Sequence, residues 1–277
     1  INFVPGLSRT IYLAKIKYWQ KQGVKISIFC TREGKIFYRQ HLEDIVFYTL
    51  DFKYKIKDVY SLIWQVIKIN FSALFLLRKI KGKFEIVYSA SSVIDFVFIP
   101  WILKLIDRKV KWFVMVDNLV PPPHQRPGFW FRNFIPYVAF LLGELMLKKA
   151  DGIFVLTNFL HKHYKEGDYK VIQTGDHYGI ETQIFKGPVS EKAPCYDALY
   201  VGRLHEAKGI FDLLEVVREV VKFKKDFILG VMGDGEESIK KRLNEKINSC
   251  GLKKNIIFNG YVVGKLKGDI LRKAGFF

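Results

Sequence analysis

The chain has 277 residues, of which 49% are hydrophobic and 26% are charged. This balance excludes wholesale disorder, and the length is sufficient for two domains with buried cores. A net charge of +18 leaves three interpretations open: a solvated basic surface, an anionic membrane surface or nucleic acid. Three widely spaced cysteines give neither a disulfide framework nor the spacing of a metal site, which favours a reducing cytoplasm.

The charge and the apolar stretches narrow the choice of partner. No recognition-module pattern accompanies the basic residues, so nucleic acid is the weakest of the three interpretations. An aromatic content of 16% and basic-aromatic segments such as residues 129–132 favour an anionic membrane surface. The long apolar stretches 59–77, 93–106 and 129–147 each contain ionisable or strongly polar residues. We therefore expect core or interfacial helices there, and no membrane span.

Strands and helices alternate along the first part of the chain. A helix is predicted between residues 11 and 23, and a strand follows it at 25–30. Further strands are predicted at 45–50, 84–89, 110–116, 153–156 and 170–173. Further helices are predicted at 58–79, 93–105, 129–149 and 159–165. This βαβα alternation predicts a parallel, doubly wound sheet.

A stretch of linker composition, GPVSEKAP at residues 187–194, separates a second alternating series. It predicts domains at 1–187 and 188–277. Strands are expected at 198–201, 227–232 and 256–258. Helices are expected from residue 210, at 238–247 and from residue 265. The fold class is therefore α/β, with two Rossmann-like doubly wound domains.

The loop between the first strand and the first helix of this second series has the features of an anion site. Gly202 ends the apolar strand, Arg203 and Lys208 follow, and Gly209 precedes a helical apolar period. Loop amides and the positive end of a helix favour an anion, and the two side chains add full charges. The loop lacks the Walker spacing and the G-x-G-x-x-G pattern. The plain alternative is an ordinary βα loop that contains a glycine and a lysine.

The same loop resembles the donor-binding loop of family-4 retaining glycosyltransferases with the GT-B fold. The family pattern is an apolar strand, G-R-L, a short gap, then K-G and a helix; here it reads Val201-Gly202-Arg203-Leu204, then Lys208-Gly209-Ile210. The resemblance implies that Arg203 and Lys208 are catalytic and grip the diphosphate of a nucleotide-sugar. It implies no cofactor and no metal, and the sequence contains no Asp-x-Asp.

Other segments extend the resemblance over nearly the whole chain. Residues 178–185 resemble a family element at the domain junction, although Tyr178 replaces its Asn and Glu181 its Asp. Further donor-binding positions implied by the family are Gly6, Gly202, Tyr261 and Val262. Gly233 and Gly235 are added because they form a tight turn that lets the backbone approach the donor. The family also has a first strand before Gly6 and a glutamate-bearing loop after the last helix. We therefore expect segments to be missing at both ends, an incomplete second domain, and an inactive 277-residue fragment.

The end of the strand at 110–116 is the second candidate region, because ligands of doubly wound sheets bind at the carboxyl ends of strands. Asp117 lies near the place where the family carries a catalytic residue, and Asn118 and His124 are candidates for the acceptor side. The alternative is that Asp117 caps a turn before the prolines at 121–123. His161 and His163 are two apart on a predicted helix and cannot share a face, so no metal site is expected there.

The sequence thus predicts a cytoplasmic, metal-independent retaining glycosyltransferase that can lie at the inner face of the membrane. It would move a sugar from a nucleotide-diphosphate sugar to a glycan or lipid-linked acceptor. No specific nucleic-acid partner is expected. The alternative function is a non-catalytic protein that binds a nucleotide-sugar or a glycan.

Overall fold

A computed structural model describes residues 9–50, 59–126, 130–173, 186, 195–262 and 264–276. The chain divides into two compact units, Ile1–Ile180 and Glu181–Phe277. The boundary predicted at 187/188 falls among residues outside the described ranges and stays a prediction. Gly6 and the junction element at 178–185 also lie outside those ranges.

The first unit alternates helices with parallel strands. In chain order its elements are α1 (Arg9–Lys21), β1 (Ser27–Thr31), α2 (Arg32–Arg39), β2 (Val46–Leu50), α3 (Val59–Ile80), β3 (Ile86–Ser89), α4 (Ile94–Ile106), β4 (Lys111–Val116), α5 (Trp130–Leu147), β5 (Gly152–Val155), α6 (Asn158–Glu166) and β6 (Val171–Gln173). A short 3₁₀ turn, Pro123–Gln125, lies between β4 and α5. The strands form a sheet of order β3-β4-β5-β6 and a separate pair β1-β2, and all of these pairings are parallel.

Helices cover both faces of these strands. On β1, Ile28 and Cys30 pack with α1 and α2, whereas Phe29 packs into the core that contains α3 and α4. On β4, Trp112 and Val114 pack with α5 and α6. The alternation follows from the strand period of two, which sends successive side chains to opposite faces. An apolar cavity of about 450 Å³ lies between β1 and β3.

The second unit has a doubly wound sheet of its own. Its elements are β7 (Tyr196–Val201), α7 (Ile210–Phe223), β8 (Leu229–Met232), α8 (Glu237–Ser249), β9 (Ile256–Gly260), α9 (Gly264–Leu271) and β10 (Ala274–Phe276). The parallel strands have the order β10-β7-β8-β9. Ala198 packs with α7 and α8, and Leu199 packs with α9 on the other face. The predicted α/β class with two parallel, doubly wound units is confirmed.

Two elements were not predicted from the sequence. Helix α2 begins at a polar stretch, where the Thr31 hydroxyl accepts a hydrogen bond from the Gly34 amide at 3.3 Å and so caps the helix. Strand β10 has three residues, too few for a periodic signal, and its pairing with β7 is what defines it. Gly275 permits that pairing, because a Cβ there would lie 2.8 Å from the carbonyl oxygen of Asp197.

Candidate functional site

The loop after β7 contains a short turn, and α7 begins directly after that turn. Residues Glu206–Lys208 form a 3₁₀ turn, capped by the His205 ring, whose Nδ1 accepts a hydrogen bond from the Ala207 amide at 3.1 Å. Gly209 then adopts a left-handed conformation with φ of 69°, and α7 begins at the next residue. Because glycine reaches positive φ without steric cost, the predicted Lys-Gly pair marks the place where the loop becomes a helix.

Two glycines after β8 hold this loop against the neighbouring strand end. A Cβ at Gly233 would lie 1.8 Å from the carbonyl oxygen of Gly202, and one at Gly235 would lie 2.5 Å from the carbonyl oxygen of Leu204. The Leu204 amide donates to the Asp234 carbonyl at 2.9 Å. These glycines let two backbone segments approach each other. Their predicted contact with a donor stays a prediction.

The strand order gives this loop a special place in the second unit. The chain runs from β7 through β8 to β9 on one side, then returns to the other side of β7 to form β10. The order therefore reverses next to β7, and the carboxyl end of a strand at such a reversal is where open α/β sheets bind ligands. Gly202 to Lys208 follow the carboxyl end of β7 and occupy that position.

The charges on the loop are arranged so that two cations remain available. Arg203 and Lys208 are both exposed, and within the described ranges neither takes part in an ion pair. The acidic neighbour Glu206 is instead bound by Arg242 of α8. On the adjoining turn, Lys240 contacts Asp234 at 2.7 Å, and this hydrogen bond lowers the pKa of Asp234. Glu206 and Asp234 are thus paired with cations of α8, while Arg203 and Lys208 are exposed to solvent.

Two further predicted donor residues follow β9. Gly260 has φ of 68°, and the next residue, Tyr261, leaves 75% of its side chain exposed. Val262 is half-buried and packs with Leu199 and Met232 on the α9 face of the sheet. The ends of β8 and β9 are linked by a hydrogen bond from the Gly233 amide to the Gly260 carbonyl at 2.8 Å. Tyr261 therefore stands at the same sheet edge as the glycine-packed loops.

A groove of about 890 Å³ lies at the end of β4 in the first unit. Asp117 and Asn118 line it, as do residues from α5 and α6 that the sequence patterns do not single out for function. The polar members of the lining are Asp117, Asn118, Gln125, Glu144, Thr157 and His163. His124 lies on the adjacent 3₁₀ turn and is not among the lining residues. The structure thus brings two of the three residues predicted at this strand end into one groove.

Glu144 is the most strongly perturbed group in this groove. Burial raises the pKa of its carboxyl from 4.5 to about 7, against the hydrogen bond from Tyr164, which lowers it. That bond runs from the Tyr164 hydroxyl to Glu144 Oε1 at 2.7 Å. A carboxyl that titrates near neutrality in a groove can exchange protons with a bound hydroxyl compound. Sequence reasoning missed it because Glu144 lies near the end of α5, far from Asp117 along the chain.

Lys15 of α1 is a second group that sequence reasoning missed. It is half-buried, which lowers its pKa, and the nearby charge of Asp117 acts in the opposite direction. Its Nζ donates to the Tyr88 hydroxyl at 3.4 Å and lies 5.7 Å from the centre of the Tyr88 ring. Asp117 therefore has a cationic neighbour at the end of β4.

Neither a metal site nor a membrane span is found among the described residues. In those ranges, no group of three or more His, Cys, Asp and Glu side chains is placed to hold a metal ion. Among the helices described above, none combines the length and apolar character needed to cross a bilayer.

The family comparison concerns the second unit. Residues 181–277 match the family model described as glycosyl transferases group 1. The second unit is thus similar to that family over its whole length. The match covers the same residues as the compact second unit and bears out, at the level of a glycosyltransferase, the resemblance drawn from Val201 to Ile210. No curated protein matches the chain.

Solved structures extend the likeness to nearly the whole chain. Anabaena HepE, in complex with UDP and glucose, aligns with 99% of this chain and 70% of its own, at 12% identity and a TM-score of 0.66. Sucrose-phosphate synthase from Thermosynechococcus elongatus aligns with 95% of this chain and 67% of its own, at 15% identity and a TM-score of 0.68. A glycosyltransferase from Rickettsia africae ESF-5 aligns with 95% of this chain and 67% of its own, at 17% identity and a TM-score of 0.61. At these identities the likeness establishes the fold, GT-B.

Proposed function

We propose that this chain is part of a retaining glycosyltransferase that moves a sugar from a nucleotide-diphosphate sugar to a glycan or lipid-linked acceptor. The observation that carries the proposal is the pair of exposed cations, Arg203 and Lys208, at the carboxyl end of β7. They stand where the strand order reverses and directly before α7. This is where the physical chemistry of a βα loop favours a diphosphate.

In this mechanism the protein stabilises the charge that develops on the leaving group. The bond between the anomeric carbon and the diphosphate oxygen breaks, and negative charge accumulates on the departing diphosphate. The acceptor oxygen forms the new bond on the same face of the sugar, and its proton passes to the leaving phosphate oxygen. Arg203, Lys208 and the first amides of α7 would offset that charge electrostatically, with no metal required.

The groove at the end of β4 is the proposed acceptor side. Asp117, Asn118 and Glu144, which all line it, would orient the acceptor hydroxyl by hydrogen bonds. Tyr261 would be a platform for the nucleotide base, because its ring is exposed at the edge of the sheet that also carries the cations. His124 stays an acceptor-side prediction without a contact to the groove.

We also propose that the protein works in the cytoplasm, at the inner face of the membrane. Its three cysteines, Cys30, Cys195 and Cys250, are free thiols. The charge of +18 suits an anionic leaflet. The free cysteines and the net charge bear only on where the protein works, and the proposed transfer reaction does not depend on them.

The test is the Lys208→Ala variant in the intact protein, with Lys225→Ala as its control. Lys225 is also exposed, but it lies just before β8, at the opposite end of the strands. Loss of Lys208 is expected to lower transfer, or donor hydrolysis, at least about a hundredfold, or ~2.7 kcal/mol of transition-state stabilisation. The control should keep the parent's rate. Near-normal turnover by Lys208→Ala would refute the proposed role of this cation.

A further inference from the structure

Helix α3 presents an apolar face to solvent. Trp64, Phe71 and Phe75 leave 67%, 62% and 68% of their side chains exposed, and Ile67 between them leaves 52%. They recur at intervals of three or four residues, so they share one side of the helix. The rings of Phe71 and Phe75 contact each other edge to face, with centroids 5.8 Å apart.

The opposite side of α3 already anchors the helix to its unit. Ala73, Leu77 and Ile80 are buried in the core shared with β1, β3 and α4. The side chain of Asn70 donates a hydrogen bond of 3.0 Å to Asp95 Oδ1 of α4. The fold of the unit therefore fixes the position of α3 without using its outer aromatic residues. Exposed aromatic stripes of this kind mark interaction surfaces.

The charge around this face has one sign. Lys68 lies among the exposed aromatic residues, and four exposed cations follow at the end of the helix: Arg78, Lys79, Lys81 and Lys83. The sequence from Val59 to Phe84 contains no aspartate or glutamate. The face thus combines a hydrocarbon-seeking stripe with a cationic cluster, which is the composition of helices that lie in the interface of anionic membranes.

We infer that the outer face of α3 docks on an anionic lipid surface. Trp64, Phe71 and Phe75 would enter the boundary between head groups and acyl chains, and the cations from Arg78 to Lys83 would contact lipid phosphates. A second copy of the chain is a poorer occupant, because it would bring two acid-free cationic surfaces together. Nucleic acid would neutralise the cations, but it would give the exposed Ile67 no apolar surface to pack against.

The outer face of α3 would thus be the surface through which the protein associates with a membrane. The inference rests on α3 and does not require the transferase proposal. If both hold, the lipid-linked acceptor becomes the favoured one of the two acceptor classes, and that narrower statement does rest on the proposed function.

The experiment measures binding of the intact protein to vesicles, with neither donor nor acceptor present. Vesicles of phosphatidylcholine alone are compared with vesicles that also contain phosphatidylglycerol, by co-sedimentation. We expect binding to the anionic vesicles only. The Phe71→Ser/Phe75→Ser double variant should bind at least about tenfold more weakly, because its apolar face no longer enters the interface. Replacing Lys81 and Lys83 with Gln should weaken binding about thirtyfold.

Matched controls keep the test specific to α3. Phe223→Ser removes a ring that is 92% exposed on the second unit, and Lys253→Gln/Lys254→Gln removes two exposed cations there. Both controls should bind as the parent does, and circular dichroism should show all variants folded. Equal binding to neutral and anionic vesicles would overturn the inference, as would parental binding by both α3 variants. A lipid-free dimer that Phe71→Ser/Phe75→Ser dissociates would also overturn it, by making this face a subunit interface.

Discussion

At the end of β7 one unbroken loop supplies both candidate cations, whereas the groove at the end of β4 takes its polar groups from a strand end and two later helices. The first region has exposed cationic side chains on a backbone that glycines pack tightly. The second has a half-buried carboxyl whose pKa burial raises to about 7. The two regions therefore differ in kind: exposed charge suited to an anion in the second unit, and a partly buried polar groove in the first.

The packing at the end of β7 gives the largest expected effect. Gly233→Ala would place a Cβ 1.8 Å from the Gly202 carbonyl oxygen, a distance that forces one backbone segment to move. We expect a loss of about 3 kcal/mol or more in the free energy of unfolding of the second unit, measured by urea denaturation. If the variant were as stable as the parent, the two loops would not be packed as described.

Gly251→Ala is the matched control for that variant. Gly251 has φ of 69°, and a Cβ added there would have nothing within 4 Å of it. Only conformational strain opposes the alanine at this position, at about 1 kcal/mol. The difference between the two alanine variants therefore isolates the steric contact at Gly233 from the general cost of replacing glycine.

The groove at the end of β4 should be the pH-sensitive region. Because burial raises the pKa of Glu144 from 4.5 to about 7, the folded protein holds a proton there that the unfolded chain releases earlier. Glu144 therefore stabilises the fold fully below about pH 4.5, and this contribution is lost as the pH rises through about 7. In Glu144→Gln, which can still accept a hydrogen bond from Tyr164, that loss should disappear, a change of about 3 kcal/mol across the window.

The measurement is the free energy of unfolding of parent and variant at several values of pH from 4 to 8 (a window set by the two pKa values). As the pH rises, the free energy of unfolding of the variant should increase relative to that of the parent. Asp95 titrates in the same range, since burial raises its pKa to about 6, and it remains in both proteins. A pH-independent difference would mean that Glu144 is ionised in the fold like an exposed carboxyl.

The start of α7 gives the smallest expected effect on stability. Gly209→Ala would force an alanine into the left-handed conformation at φ of 69°. We expect a loss of about 1 kcal/mol, read from urea denaturation. A larger loss would indicate contacts at Gly209 beyond its conformation, although only Asp212 Oδ2, at 3.8 Å, lies near an added Cβ.

The same contrast explains how much the sequence could predict. The β7–α7 loop was predicted because its strand, glycines and cations are contiguous, and the long elements α3 and β4 were predicted from their apolar patterns. Lys15 and Glu144 were missed because only the fold brings them to the end of β4. In the sequence Glu144 served only as an ionisable residue that argues against a membrane span. Contacts between distant residues have no local signal.

Binding of the diphosphate itself tests the central claim most directly. Calorimetric titration of the intact protein with UDP, GDP and ADP, and with the nucleoside of the tightest binder, measures what the diphosphate contributes. We predict a nucleoside at least about a hundredfold weaker. Arg203→Ala/Lys208→Ala should bind the diphosphate no better than the nucleoside, while Lys225→Ala/Lys253→Ala binds as the parent does. Parental affinity for the diphosphate in the Arg203→Ala/Lys208→Ala variant would contradict the account.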